Sequence, residues 1–128
     1  MVDPAPKPPA PAAAPEIKLP SWLKRTERPG KRFAYVLDPD VAYPLVLSAL
    51  GVEEKDYDQY WIEVAYQCSK MAAIELVGWG PDIIIDSSGD RKKDWALAEY
   101  PKGKGIYAAS KGLEAKEHYR KIARALDV

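Results

Sequence analysis

DYDQYWIEVAYQCSKMAAIELV, residues 56–77, is the stretch on which the fold turns. At about 100° per residue, Tyr57, Tyr60, Trp61, Val64, Ala65, Cys68, Met71, Ala72 and Leu76 fill one side of a helical wheel. Ile62, Tyr66, Ala73 and Val77 widen that side, and Gln59, Glu63, Gln67 and Lys70 form the only polar strip. A helix that is apolar over most of its circumference is a central element, covered by its own domain and open to a partner on a further side. Glu75 falls inside the apolar arc near the helix C-terminus, where the helix dipole disfavours an anion. An ion pair with a basic residue from the last third of the chain is expected to hold it.

The flanks set the boundaries of this helix. Gly78–Pro81, GWGP, breaks it. Glu53, Glu54, Asp56 and Asp58 stand at its start, where carboxylates meet the positive end of the dipole, so their acidity needs no ligand. Upstream, Lys31–Leu37 (KRFAYVL) reads as a strand ended by Asp38 and Pro39. Asp40 or Tyr43 then opens a short helix whose first turn tolerates Pro44 and which stops at Gly51. Downstream, Ile83–Ile85 reads as a buried strand, SSGD (87–90) as a turn and WALAEY (95–100) as an alternating strand. GIYAAS after the PKGKG loop is a further short strand or runs straight into the last helix, with Ser110 as N-cap. In that helix Ala115, Tyr119, Ile122, Ala123 and Leu126 share one face, and Lys116, Glu117, Arg120, Lys121 and Arg124 the other. The order predicts an α+β fold over residues 31–128, a small antiparallel or mixed sheet packed against a long central helix and a C-terminal helix.

Residues 1–30 read as a separate arm. Val2–Pro15 is a Pro and Ala tract that buries no core and favours extended, polyproline-like backbone. Ile17, Leu19, Trp22 and Leu23 follow it, beside several lysines and arginines. Trp22 is the expected anchor, pinning the arm to its own domain or to a partner, because an exposed indole next to such a tract is costly. The tract itself has two readings, a tail with no role or an arm lying across a neighbouring subunit.

The 128 residues carry 19 basic and 19 acidic side chains. That balance removes any global field toward nucleic acid or a membrane. The charges are nonetheless segregated: 7 basic and 3 acidic residues up to Leu37, 2 and 11 from Asp38 to Asp90, and 10 and 5 thereafter. An acidic middle between basic ends must pair within the fold or across an interface. Cys68, the single cysteine, excludes an intrachain disulfide and any multi-thiolate metal site, and its place on the apolar face predicts a small buried thiol. The start has no apolar run of signal-peptide length, and no stretch approaches about 18 apolar residues. No membrane insertion is therefore expected, and the expected location is the cytoplasm or the inside of a larger particle. No cofactor or metal is expected.

The sharpest local motif is IYAASKG, residues 106–112, with Tyr107 and Lys111 in Y-x-x-x-K spacing ahead of a helix. It resembles the catalytic helix of short-chain dehydrogenases, and IIIDSSG resembles the strand that ends in that family's catalytic serine. The resemblance implies Tyr107 as proton donor, Lys111 as the group that lowers its pKa, and Ser87 or Ser88 as the serine. It covers at most about 45 residues, and a dehydrogenase of this family requires a doubly wound domain and a glycine-rich turn that this chain lacks. A second constellation is basic: Arg91, Lys92, Lys93, Lys102, Lys104, Arg120, Lys121 and Arg124 for phosphates, with Trp95 or Tyr100 for base stacking. His118 lacks the partners of a metal site or a triad and is assigned to packing. The aromatic inventory, Trp22, Trp61, Trp79 and Trp95 with eight tyrosines, also suits an interface. The resulting expectation is a non-enzymatic interaction or structural subunit of a larger assembly, binding a protein partner or itself through Ile17, Leu19, Trp22, Leu23 and Trp79. A nucleic-acid-binding accessory is the alternative.

Overall fold

The computed structural model describes residues 18–27, 34–86, 88–89 and 104–128, with side chains in the last stretch from Gly112 onward. It shows the expected α+β architecture, with a mixed three-stranded sheet. Strand β1 (Leu23–Thr26) pairs antiparallel with β2 (Ala34–Leu37), and β2 pairs parallel with β3 (Asp82–Ile85), in the order β1-β2-β3. A parallel pair needs a long crossover. Here residues 38–81 supply it as helix α1 (Pro39–Ala49), a 3-10 turn (Glu54–Asp56) and helix α2 (Gln59–Val77). Helix α3 (Lys104–Ile122) and a final 3-10 turn (Ala123–Leu126) close the fold.

Each helix start has a local cause. Asp38 caps α1 by accepting from the Asp40 amide at 3.0 Å, and Pro39 sits at the first helical position, where its missing N–H costs nothing. The helix thus opens one residue before Asp40, and Pro44 lies beyond the first turn, inside the helix. Asp58 caps α2, its carboxylate accepting from the Trp61 amide at 2.9 Å, so the helix starts at Gln59 rather than Asp56. Ser110 lies inside α3 rather than at its start: the helix already runs from Lys104, and GIYAAS is helix rather than strand.

The core gathers Trp22, Leu23, Tyr35, Leu37, Ala42, Tyr43, Val46, Leu47 and a row of α2 side chains, closed by Ala115, Ile122 and Leu126. Small residues on α2, Ala65, Cys68, Ser69, Ala72 and Ala73, let its neighbours approach closely. Cys68 Sγ lies 3.6 Å from the Ala115 carbonyl oxygen of α3. Because α2 packs against α1, α3 and the sheet together, its polar strip is not all at the surface. Glu63, expected in solvent, is 1% exposed, and its carboxylate accepts from Gln67 Nε2 at 2.9 Å.

Two expectations about segments are revised. Strand β3 is half-exposed rather than buried, and is the last strand of the sheet among the described residues: Ile83 and Ile85 pack on the core, while Ile84 points outward at 40% exposure. The boundary expected at residue 30 falls between two paired strands, since β1 belongs to the sheet and Trp22 to the core. Trp22 Nε1 donates to the Leu126 carbonyl at 3.2 Å, and the Asp38 amide donates to the Trp22 carbonyl at 2.8 Å. The expected strand at WALAEY, the SSGD turn apart from Ser88 and Gly89, and the tract Val2–Pro15 lie outside the described residues.

Candidate interaction surface

Helix α2 ends at Gly78, whose amide donates to the Ile74 carbonyl at 2.7 Å and whose φ of 88° belongs to a region open to glycine. That turn takes the chain off the helix axis and leaves the next residue, Trp79, 85% exposed. Beside it, the C-terminal half of α2 and the middle of α3 diverge around an open groove of about 740 Å³. Met71 and Ile74 line it from α2, Leu113 from α3 at 67% exposure, and Lys70, Glu75 and Lys116 are its charged groups. Gly112 adds to the opening, since no atom lies within 4 Å of where its Cβ would stand.

A second hollow of about 450 Å³ shares Lys70, Ile74 and Trp79 and continues over Pro81 to Ile84 on the outer face of β3. Trp79 is therefore a ridge between two hollows, a mainly apolar one between α2 and α3 and a mixed one toward β3 that includes Lys70 and Asp82. At the groove wall the Tyr119 hydroxyl donates to Glu75 Oε1. Among the described residues Glu75 is held by a neutral hydroxyl from α3 rather than by a cation. Burial, then the hydrogen bond to Glu75 and its charge, raises the Tyr119 pKa. Lys70 Nζ sits 5.6 Å from the centre of the Tyr66 ring, which orients the ammonium at the rim.

The structure separates the residues expected to bind a partner. Trp22 and Leu23 are each 1% exposed in the core of their own chain, and Leu19 packs on that core half-buried. The anchor thus holds its own domain. Ile17 lies outside the described residues, and of the four described Trp79 alone stands free at the surface. Leu113, Ile84 and Met71 were not expected there. Leu113 carried a signal: at helical spacing it shares a face with Glu117, Arg120 and Arg124, an apolar residue on a charged face.

Of the basic set, Arg120 and Lys121 are exposed on α3 and Arg124 on the final turn. Arg91, Lys92, Lys93, Lys102 and the side chain of Lys104 lie outside the described residues, as do the side chains of Tyr107 and Lys111. Both of the latter are within the first turns of α3, and Ser88 is exposed beyond β3, its amide donating to Asp86 Oδ1 at 3.0 Å. The three-stranded mixed sheet is not the doubly wound parallel sheet that the dehydrogenase resemblance implies. His118 joins a packing cluster, its Nε2 3.5 Å from the Tyr60 hydroxyl and its ring 5.8 Å from that of Trp61. Cys68 is fully buried, and desolvation pushes its thiol up to about 12, far from a reactive nucleophile.

Among the described residues no group of His, Cys, Asp and Glu could hold a metal ion, and no helix is long and apolar enough to cross a membrane. No protein-family model, curated protein or solved structure matches the chain.

Proposed function

We propose that this chain is a non-enzymatic interaction protein, a subunit or accessory of a larger assembly, whose docking surface is the groove and ridge centred on Trp79. The observation that carries the reading is Trp79 itself, 85% exposed and flanked by Leu113 at 67%. Leaving an indole and an isobutyl group in water costs hydrophobic stabilisation that a partner's contact would recover, and Trp is the residue type most often found at interface hot spots. Lys70, Glu75 and Lys116 around the apolar floor reproduce the pattern of an apolar interface centre with a charged rim. Two packed helices form the walls, so little ordering entropy is lost on docking.

The test is quantitative capture by the full-length chain and by a Trp79→Ala, Leu113→Ser variant in the native host's extract, followed by reconstitution with the purified candidate. A stoichiometric complex weakened by about 2 kcal/mol, roughly 30-fold in Kd, supports the reading. Equal binding by both forms contradicts it.

A further inference from the structure

We infer that the groove beside Trp79 receives the acidic turn ahead of α2, residues 53–58, of a second copy, so that the chain associates head to tail. This rests on the groove being a docking surface and names what docks there. The two surfaces are opposite in sign. Lys70 stands on the α2 wall of the groove and Lys116 on the α3 wall, against one carboxylate, Glu75, to which the Tyr119 hydroxyl already donates. In the turn Glu53, Glu54, Asp56 and Asp58 are all exposed, against Lys55. The Glu53–Lys55 ion pair, at 3.9 Å between largely exposed side chains, is of the kind that solvent and salt weaken, so the turn remains an acidic surface. Half-buried Val52 and Tyr57 stand beside the carboxylates and offer apolar atoms to Trp79 and Leu113.

Within one molecule these surfaces cannot neutralise each other, because α2 holds them apart. Asp58 caps its first turn, and the groove residues Lys70, Met71 and Ile74 belong to its second half. At the helical rise Asp58 is about 18 Å from Lys70 and about 24 Å from Ile74 along the axis. Both spans exceed the screening length of about 8 Å at physiological salt, so each end keeps its own field. A second copy brings the acidic end of one α2 to the cationic groove at the end of another, and the same contact takes Trp79 and Leu113 out of water. Such a contact joins unlike surfaces and leaves one of each unused, so it propagates into a row or closes into a ring. It is also small, which places its dissociation in the micromolar to millimolar range.

The experiment is light scattering of the full chain from about 10 µM to about 1 mM, the range in which such a contact dissociates. The expected mean mass climbs above that of the monomer with concentration and falls back at about 0.5 M salt, where charges more than a few ångströms apart are screened. Two variants then divide the contact: Trp79→Ala with Leu113→Ser in the groove, and Glu53→Lys with Asp56→Lys in the turn. All four positions are exposed. Each variant alone is expected to stay at the mass of the monomer. Their equimolar mixture is expected to form a one-to-one dimer and nothing larger, because one intact groove meets one intact turn and both outer ends are blocked. That dimer also shows that both variants are folded. A parent chain that remains a monomer throughout would overturn the inference, as would a mixture without dimer. Loss of association in the groove variant with none in the turn variant would overturn it too, since groove would then meet groove. Each of these failures leaves the Trp79 dependence of partner capture from the host extract to stand or fall by itself.

Discussion

Trp22 and Leu126 are 104 positions apart in sequence and joined by a buried hydrogen bond, indole Nε1 to backbone carbonyl at 3.2 Å. The bond ties the segment before β1 to the last turn, so the two ends of the described fold are one packing unit. Trp22→Phe keeps an aromatic ring but loses the pyrrole N–H and strands the Leu126 carbonyl, and is expected to cost ~1–3 kcal/mol. Trp22→Ala also opens a cavity and is expected to cost ~3–5 kcal/mol. Urea unfolding midpoints measure both, and an unchanged midpoint for the alanine variant would remove Trp22 from the core.

The start of α2 depends on one carboxylate. Asp58→Ala removes the cap on the Trp61 amide and is expected to cost ~1 kcal/mol, with Asp58→Asn retaining most of that. Asp56→Ala, outside α2, should fall within about 0.5 kcal/mol of the parent. Equal losses at both positions would mean that bulk acidity rather than capping sets the helix start.

Two glycines at the groove respond oppositely to a methyl group, although neither would meet another atom within 4 Å. Gly112 is inside α3, where alanine is better by ~0.5–1 kcal/mol, so Gly112→Ala should raise the melting temperature. Gly78 has φ 88°, which strains any L side chain, so Gly78→Ala should lower it. Thermal unfolding followed by circular dichroism separates the two.

Alkaline pH should destabilise the fold through the buried Cys68 thiol and the partly buried Tyr119 hydroxyl. The Cys68 thiol titrates at about 12 in the folded chain against an ordinary 9.0, so between these values the folded state holds a proton that the unfolded state has released. Stability is therefore full below pH 9 and falls as pH rises, with a slope approaching about 1.4 kcal/mol per pH unit. Tyr119, raised above its ordinary 10.0, adds in the same direction. Cys68→Ala should flatten the profile from pH 9, and Tyr119→Phe should flatten it further from pH 10. Unfolding titrations with no difference from the parent would contradict the burial of Cys68 and the hydrogen bond of Tyr119 to Glu75.

The sequence legibly carried the parts of the fold that depend on period and capping. Residues 56–77 announced the central helix, Gly78 its end, and the apolar face Ala115, Ile122 and Leu126 the closing helix. Less visible was anything decided by neighbours. The exposure of Glu63 depended on how many elements wrap α2, and Ile83–Ile85 looks the same in a half-exposed strand as in a buried one until its partners are known. Ser110 suited a cap and became helix interior because the helix had begun six residues earlier. Of the candidate surface, Trp79 was legible as an aromatic in a helix-breaking turn, but Leu113 and Ile84 join it only through tertiary contact. Trp22 looked like an anchor, and the anchored object proved to be its own domain.

The most direct measurement for the interaction reading is photo-crosslinking in the native host from a light-activated phenylalanine analogue at position 79, with position 121 as a surface control. The account predicts a discrete adduct from position 79 to a protein partner, and none of comparable yield from position 121. Absence of adducts at position 79, or the same adducts at both positions, would contradict it.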